Sequence, residues 1–121
     1  MEGMGTMKRK ILILGANGFM GRNLKEFLEK KKDLYEIHAP TSREFDISDE
    51  RAVKEQLNKK YYNVILHAAV YNPRVGSNKD SSKELDKNLR MFFNFERCQN
   101  LYGKMLYFGS GLNLISVEKS A

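Results

Sequence analysis

One cysteine, Cys98, stands among 121 residues. A lone thiol excludes an internal disulfide and fits a reducing cytoplasm. Its expected setting is that of a small buried apolar side chain. The two histidines add no metal-site spacing to it. His67 is expected as a satisfied strand-end residue and His38 as a surface one. No apolar run approaches the roughly 20 residues of a membrane helix, so no membrane partner is expected. The stretch "ILILGANGFMG" is far too short, too rich in glycine for a signal-peptide core, and followed by Arg22 instead of a small-residue cleavage site. Internal repeats and low-complexity tracts are also missing. Hydrophobic content of 41% with mixed charge excludes a disordered chain. The length gives room for one domain and one modest core. Residues 1–6 read as a leader, since the structured pattern begins at Met7.

Twenty-one basic and 15 acidic residues give a net charge of +6. The cations gather in short clusters, Lys8–Lys10, Lys30–Lys32 and Lys59–Lys60. The last two fall where helices should end, and there cations complement the macrodipole. None is interleaved with aromatics as a stacking platform would be. Solvated helix ends are therefore expected, with a polyanion-binding face as the alternative and nucleic acid a remote partner.

Lys10–Leu14 is a short, continuous apolar run bounded by glycine, which suits a strand buried on both faces of a parallel sheet. From Phe19 the period changes. Met20, Leu24, Phe27 and Leu28 recur as one stripe of a helix that runs out in Lys30–Lys32. Tyr35–Ala39 is a second strand stopped by Pro40, and "REFDI" a short third. Ser48 then caps a helix with Asp49 and Glu50 in its first turn. "NVILHAAV" is a further buried strand, and "YNPRVGSNKDSS" a polar loop. Glu84–Tyr102 is the longest helix, with Leu85, Leu89, Phe92, Phe93, Cys98 and Leu101 on its apolar face and Gly103 closing it. Lys104–Phe108 is the last clear strand. Such alternation predicts a Rossmann-type α/β fold over residues 7–111. Its expected sheet is doubly wound and parallel, with five strands in the order 3-2-1-4-5, incomplete on its C-terminal side.

Gly15, Gly18 and Gly21 lie between the first strand and the first helix. The first allows a tight exit, the second a close backbone approach to a pyrophosphate, and the third close packing of helix on strand. First-turn amides at the positive helix end then face phosphates. After a buried strand and before an amphipathic helix, these glycines point to a dinucleotide. A turn with no ligand is the alternative.

The spacing is G-x-x-G-x-x-G, and "GANGFMGRNL" resembles the opening motif of the extended short-chain dehydrogenases/reductases, also called NAD-dependent epimerases/dehydratases. "TSREFDISDERAV" resembles the segment after the second strand in reductases of the dTDP-4-dehydrorhamnose reductase and GDP-fucose synthase type. "VILHAAV", "LDKNLRMFFNFERCQN" and "MLYFGSG" are similar to that family's fourth strand, following helix and fifth strand, so the likeness spans nearly all of Met7–Gly111. The resemblance implies that Gly15, Asn17, Gly18, Phe19, Met20 and Gly21 line the pyrophosphate. Asp46 and Ile47 would border the adenine, with the Asp accepting from its amino group. Ala68, Ala69 and Val70 would lie near the nicotinamide ribose. A turn-forming role for Asp46 and a plain buried strand end for Ala68–Val70 stay open. Arg43 stands where related reductases pair with the 2′-phosphate of NADP. Glu44, next door, keeps NAD open, and Arg43 on a solvated loop is the bland alternative.

The family's Tyr-x-x-x-Lys pair, in which a lysine lowers the pKa of an acid/base tyrosine, is not in this sequence. Four positions past Tyr35, Tyr61, Tyr62, Tyr71, Tyr102 and Tyr107 stand Ala39, Ile65, Leu66, Val75, Leu106 and Gly111. Relatives place an active Ser where Gly111 stands. Ser110 is one residue early, which reverses the face on a strand. Asn88 matches an Asn of the family helix and is expected to be structural. No catalytic residue is therefore assigned. Several relatives continue past this strand as Gly-Ser-Gly-Ala-Glu-Phe-Asp-Lys, and one coding of that run, less a single G, reads Gly-Leu-Asn-Leu-Ile, as Gly111–Ile115 does. Residues 112–121 are accordingly expected to be a frame-shifted tail on a truncated reductase, against the alternative of a natural short domain. The alternation in "LNLISV" suits either local pairing or a homodimer. The expected function is the NADP- or NAD-binding part of a nucleotide-sugar epimerase, dehydratase or reductase, silent alone and meeting its sugar nucleotide only in a full-length form. A non-enzymatic NADP(H) sensor or partner-binding module is the alternative.

Overall fold

The computed structural model describes residues 8–70, 81–108 and 114–118. The apolar run forms β1, Arg9–Leu14, and the glycine turn leads into α1, Phe19–Glu29. Then come β2, Tyr35–His38; α2, Glu50–Lys59; β3, Val64–His67; and α3, Ser81–Glu96. A 3₁₀ turn over Gln99–Leu101, β4 at Lys104–Phe108 and β5 at Leu114–Glu118 complete the order. The sheet runs β2-β1-β3-β4-β5. The first three pairings are parallel, and β5 lies antiparallel to β4 with Lys104 opposite Glu118. Those two side chains also form an ion pair at 3.4 Å. Alternation along β1 divides the core. Leu12 and Leu14 join Val53, Leu57, Met91 and Phe95 under α2 and α3, while Ile11 and Ile13 meet Leu24 and Leu28 of α1.

The Rossmann-type architecture is as expected, with five strands, but the strands at the margins differ. "REFDI" is a turn, not a strand. Thr41 and Glu44 bond reciprocally: the Thr41 amide donates to Glu44 Oε1 at 2.7 Å and the Glu44 amide to Thr41 Oγ1 at 3.3 Å. That pairing is a capping box, which winds the chain helically and opposes an extended backbone. Ser48 then bends the chain again by donating its amide (3.0 Å) and hydroxyl (2.7 Å) to Asp46 Oδ1. The cap of α2 is consequently Asp49, which accepts from the Arg51 and Ala52 amides, and not Ser48. The fifth strand comes instead from the tail, whose 114–118 segment pairs locally. Lys30 and Lys60 are the C-cap residues of α1 and α2, as expected of solvated helix ends.

The third helix begins at Ser81 and stops at Glu96, short of Tyr102. Its buried stripe is Met91 and Phe95, with Phe92 partly covered, and past its end Cys98 is buried and Leu101 partly covered. Leu85, Leu89 and Phe93 are exposed. At 100° per residue these three lie on the opposite side from Met91 and Phe95, so one helix cannot bury both stripes against a single sheet. Met20 and Phe27 are likewise exposed, and α1 anchors through Leu24 and Leu28. No helix among the described residues is long and apolar enough to cross a membrane.

Candidate functional site

The chain leaves β1 through Gly15 at φ +82°, a left-handed turn that side chains resist. The amide of Gly18 donates back to Gly15 O at 3.0 Å, and Arg22 N to Gly18 O at 2.9 Å starts the helical ladder. A Cβ on Gly21 would stand 2.0 Å from Gly15 O, so only glycine lets α1 settle onto this turn. A Cβ on Gly18 would meet nothing closer than Gly15 O at 3.5 Å, which leaves its outer side open to a visitor. Gly18 is also the N-cap of α1 and supplies no side-chain bond, and the first turn carries no acid. The amide-bearing, positive end of the helix is thereby left to a ligand.

This turn forms one wall of a cleft of about 530 Å³, within the size range of small-molecule sites. Gly15, Asn17, Gly18, Phe19, Asp46, Ile47, Ala68, Ala69 and Val70 line it. It sits outside the C-terminal ends of β1 and β3, where parallel sheets bind their ligands. Met20, Gly21 and Arg43 do not line it. Gly21 is buried behind the turn, Met20 faces outward, and Arg43 is exposed at the apex of the capping-box turn. Thr41 and Ser42, beside Arg43, do line the cleft. Ser110 and Gly111 lie outside the described residues.

Several lining residues escaped the sequence reading: Pro40, Phe45, Lys87 and Met91. Their signal was weak, since Lys87 and Met91 share only an i, i+4 spacing on α3. Asp46 is held in its ionised form, its carboxyl below the usual range, first by the Ser48 hydroxyl, then by the Ser48 amide, with Lys87 adding attraction. Asn94 is buried and donates Nδ2 to Ile47 O at 2.9 Å, while its Oδ1 accepts from Arg97 at 2.7 Å. It pins the 45–48 segment to α3. Its signal was a polar residue inside the apolar stripe of Met91, Phe95 and Cys98.

Neither histidine matches its expected setting fully. His38 is half-buried, stacked on Tyr62, and 2.7 Å from the Tyr62 hydroxyl. His67 is fully buried with Nε2 3.1 Å from Met91 O, yet its Nδ1 has no hydrogen-bond partner among the described residues. Cys98 is buried, as expected.

The model of the RmlD substrate binding domain family matches residues 8–108. The GDP-L-colitose synthase of Yersinia pseudotuberculosis is 33% identical over 104 residues, which are 84% of this chain and 33% of that protein. Among solved structures, a GDP-D-glycero-L-gluco-heptose synthase from Campylobacter jejuni in the presence of NADPH superposes with a TM-score of 0.76 at 24% identity, over 86% of this chain and 31% of the other. A dTDP-4-dehydrorhamnose reductase from Bacillus anthracis in complex with NADP gives 0.61 at 25% identity, over 78% and 34%. The chain spans a third or less of the length of the curated relatives it matches.

Proposed function

Because the chain belongs to the RmlD substrate binding domain family, we propose that it is the dinucleotide-holding part of a nucleotide-sugar reductase or epimerase, and that it binds NADP(H). One observation carries the reading: the glycine turn and the uncapped end of α1 form one wall of a cleft at the carboxyl ends of the central strands. Gly15 and Gly18 bring backbone to the pyrophosphate, and Asn17 and Phe19 close over it. Asp46 and Ile47 border the adenine, and Ala68–Val70 follow the cofactor toward its nicotinamide. The dinucleotide supplies or accepts a hydride when bound. This chain's residues place it and keep water from its apolar side.

Relatives of this kind, named for GDP- and dTDP-linked sugars, support a sugar nucleotide as the substrate of the whole protein. A second reading follows from the lack of any Tyr-x-x-x-Lys in these 121 residues: a module that holds NADP(H) without turning it over. Calorimetric titration with NADPH and NADH tests the pocket. Saturable NADPH binding supports the reading, and indifference to both nucleotides at millimolar concentration overturns it. Turnover of a GDP- or dTDP-4-keto sugar then separates the reductase from the silent module.

A further inference from the structure

A ribose 2′-hydroxyl is best held by a carboxylate at the end of the second strand, and a 2′-phosphate by hydrogen-bond donors. Between the end of β2 and Phe45 the single carboxylate is Glu44. Its position is fixed. Glu44 Oε1 accepts from the Thr41 amide at 2.7 Å, and the Glu44 amide is shared between Thr41 Oγ1 at 3.3 Å and Thr41 O at 3.1 Å. Phe45 N also donates to Thr41 O, at 3.0 Å. Glu44 therefore faces a neighbouring hollow with His38 and Gln56, while Thr41, Ser42 and Phe45 face the main cleft. The same turn leaves Arg43 exposed at its apex.

We propose that the reciprocal Thr41–Glu44 pair is a clamp that commits the adenosine end of the cleft to a 2′-phosphate, an inference that rests on the dinucleotide reading above. The clamp acts twice. It withdraws from the cleft the first acid after β2, which would accept from a 2′-hydroxyl and would repel a phosphate. It also winds residues 41–44 so that Ser42 lines the cleft and the next residue, Arg43, is exposed to solvent, and these two side chains are the donors assigned to a tetrahedral anion. Thr41 and Glu44 are positioning residues in this account, since neither needs to touch the cofactor.

The test is calorimetric titration of the 121-residue chain and its variants with NADPH and with NADH. The unsubstituted chain is expected to prefer NADPH by at least about tenfold, the worth of one charge-assisted contact. Glu44→Ala frees the Thr41 amide and should weaken NADPH about tenfold, with NADH unchanged. Glu44→Gln keeps an oxygen for that amide and should stay near the parent. Thr41→Val, which deletes only Oγ1, should give an intermediate ratio and guards against a Glu44→Ala protein that does not fold. The clamp is overturned if Glu44→Ala weakens both nucleotides equally, leaves NADPH unchanged or tightens it, or if Glu44→Gln falls as far as alanine. Equal affinity of the parent for both nucleotides sinks the clamp alone. Binding of neither sinks the cofactor reading and the clamp with it.

Discussion

Acidification should destabilise this fold chiefly through His67. That side chain is 0% exposed. Met91 O can only accept, so the 3.1 Å contact means that Nε2 carries the proton. Nδ1 then presents a lone pair with no hydrogen-bond partner among the described residues, on a ring that Phe95 and Tyr107 meet edge to face. Protonating Nδ1 would bury a charge away from water, and burial accordingly pushes the imidazole down to about 4, against the opposing pull of backbone carbonyls, that of Met91 first. The unfolded chain takes up this proton near the usual value of about 6.5. The folded value is the lower one, so the unfolded state binds more protons between the two, and stability falls as pH falls through that window. The whole difference amounts to roughly 3 kcal/mol, of which about 2 kcal/mol is lost between about pH 7.5 and pH 5. Asp46 and Glu36 have depressed values, through hydrogen bonds from Ser48 and Lys60 first, so both stay ionised in this window. Urea unfolding followed by circular dichroism at a series of pH values reads the slope directly. His67→Leu removes the titration while keeping the volume apolar, and it should flatten most of the slope. A residual slope of the same sign is expected from His38, whose value burial also lowers. A parent curve flat to within about 0.5 kcal/mol, or a His67→Leu variant as steep as the parent, would mean that His67 does not govern the acid sensitivity.

Two further outcomes follow from the glycine turn and the α3 anchor. Gly15→Ala places a Cβ 2.6 Å from Ala68 C and O at a positive φ, and should cost more than about 2 kcal/mol in urea unfolding. Gly18→Ala, with its nearest contact at 3.5 Å, should cost no more than the roughly 1 kcal/mol of a poorer N-cap yet lose NADPH affinity in titration. Asn94→Leu takes the donor from Ile47 O and the acceptor from Arg97. It should lower stability by about 1–3 kcal/mol and loosen NADPH binding, both read against the parent.

Local periodicity alone made the helix and strand order legible, because a run buried on both faces and a one-sided helix stripe are written in neighbouring residues. The turn from Gly15 to Gly21 was legible for the same reason: its constraints on backbone shape act within seven positions. Tertiary structure decided what depends on partners far along the chain. "REFDI" has the composition of a strand, yet the Thr41–Glu44 box and the Asp46–Ser48 bend wind it, and Asn94, 47 positions beyond Ile47, pins it to α3. The apolar residues of α3 divide between two faces, and only the sheet it lies against determines that Met91 and Phe95 are buried while Leu89 and Phe93 face outward. How Glu44 and Arg43 are disposed about their turn was likewise open in the residue order. The direction of a side chain on a turn follows from hydrogen bonds that form only when the turn is closed.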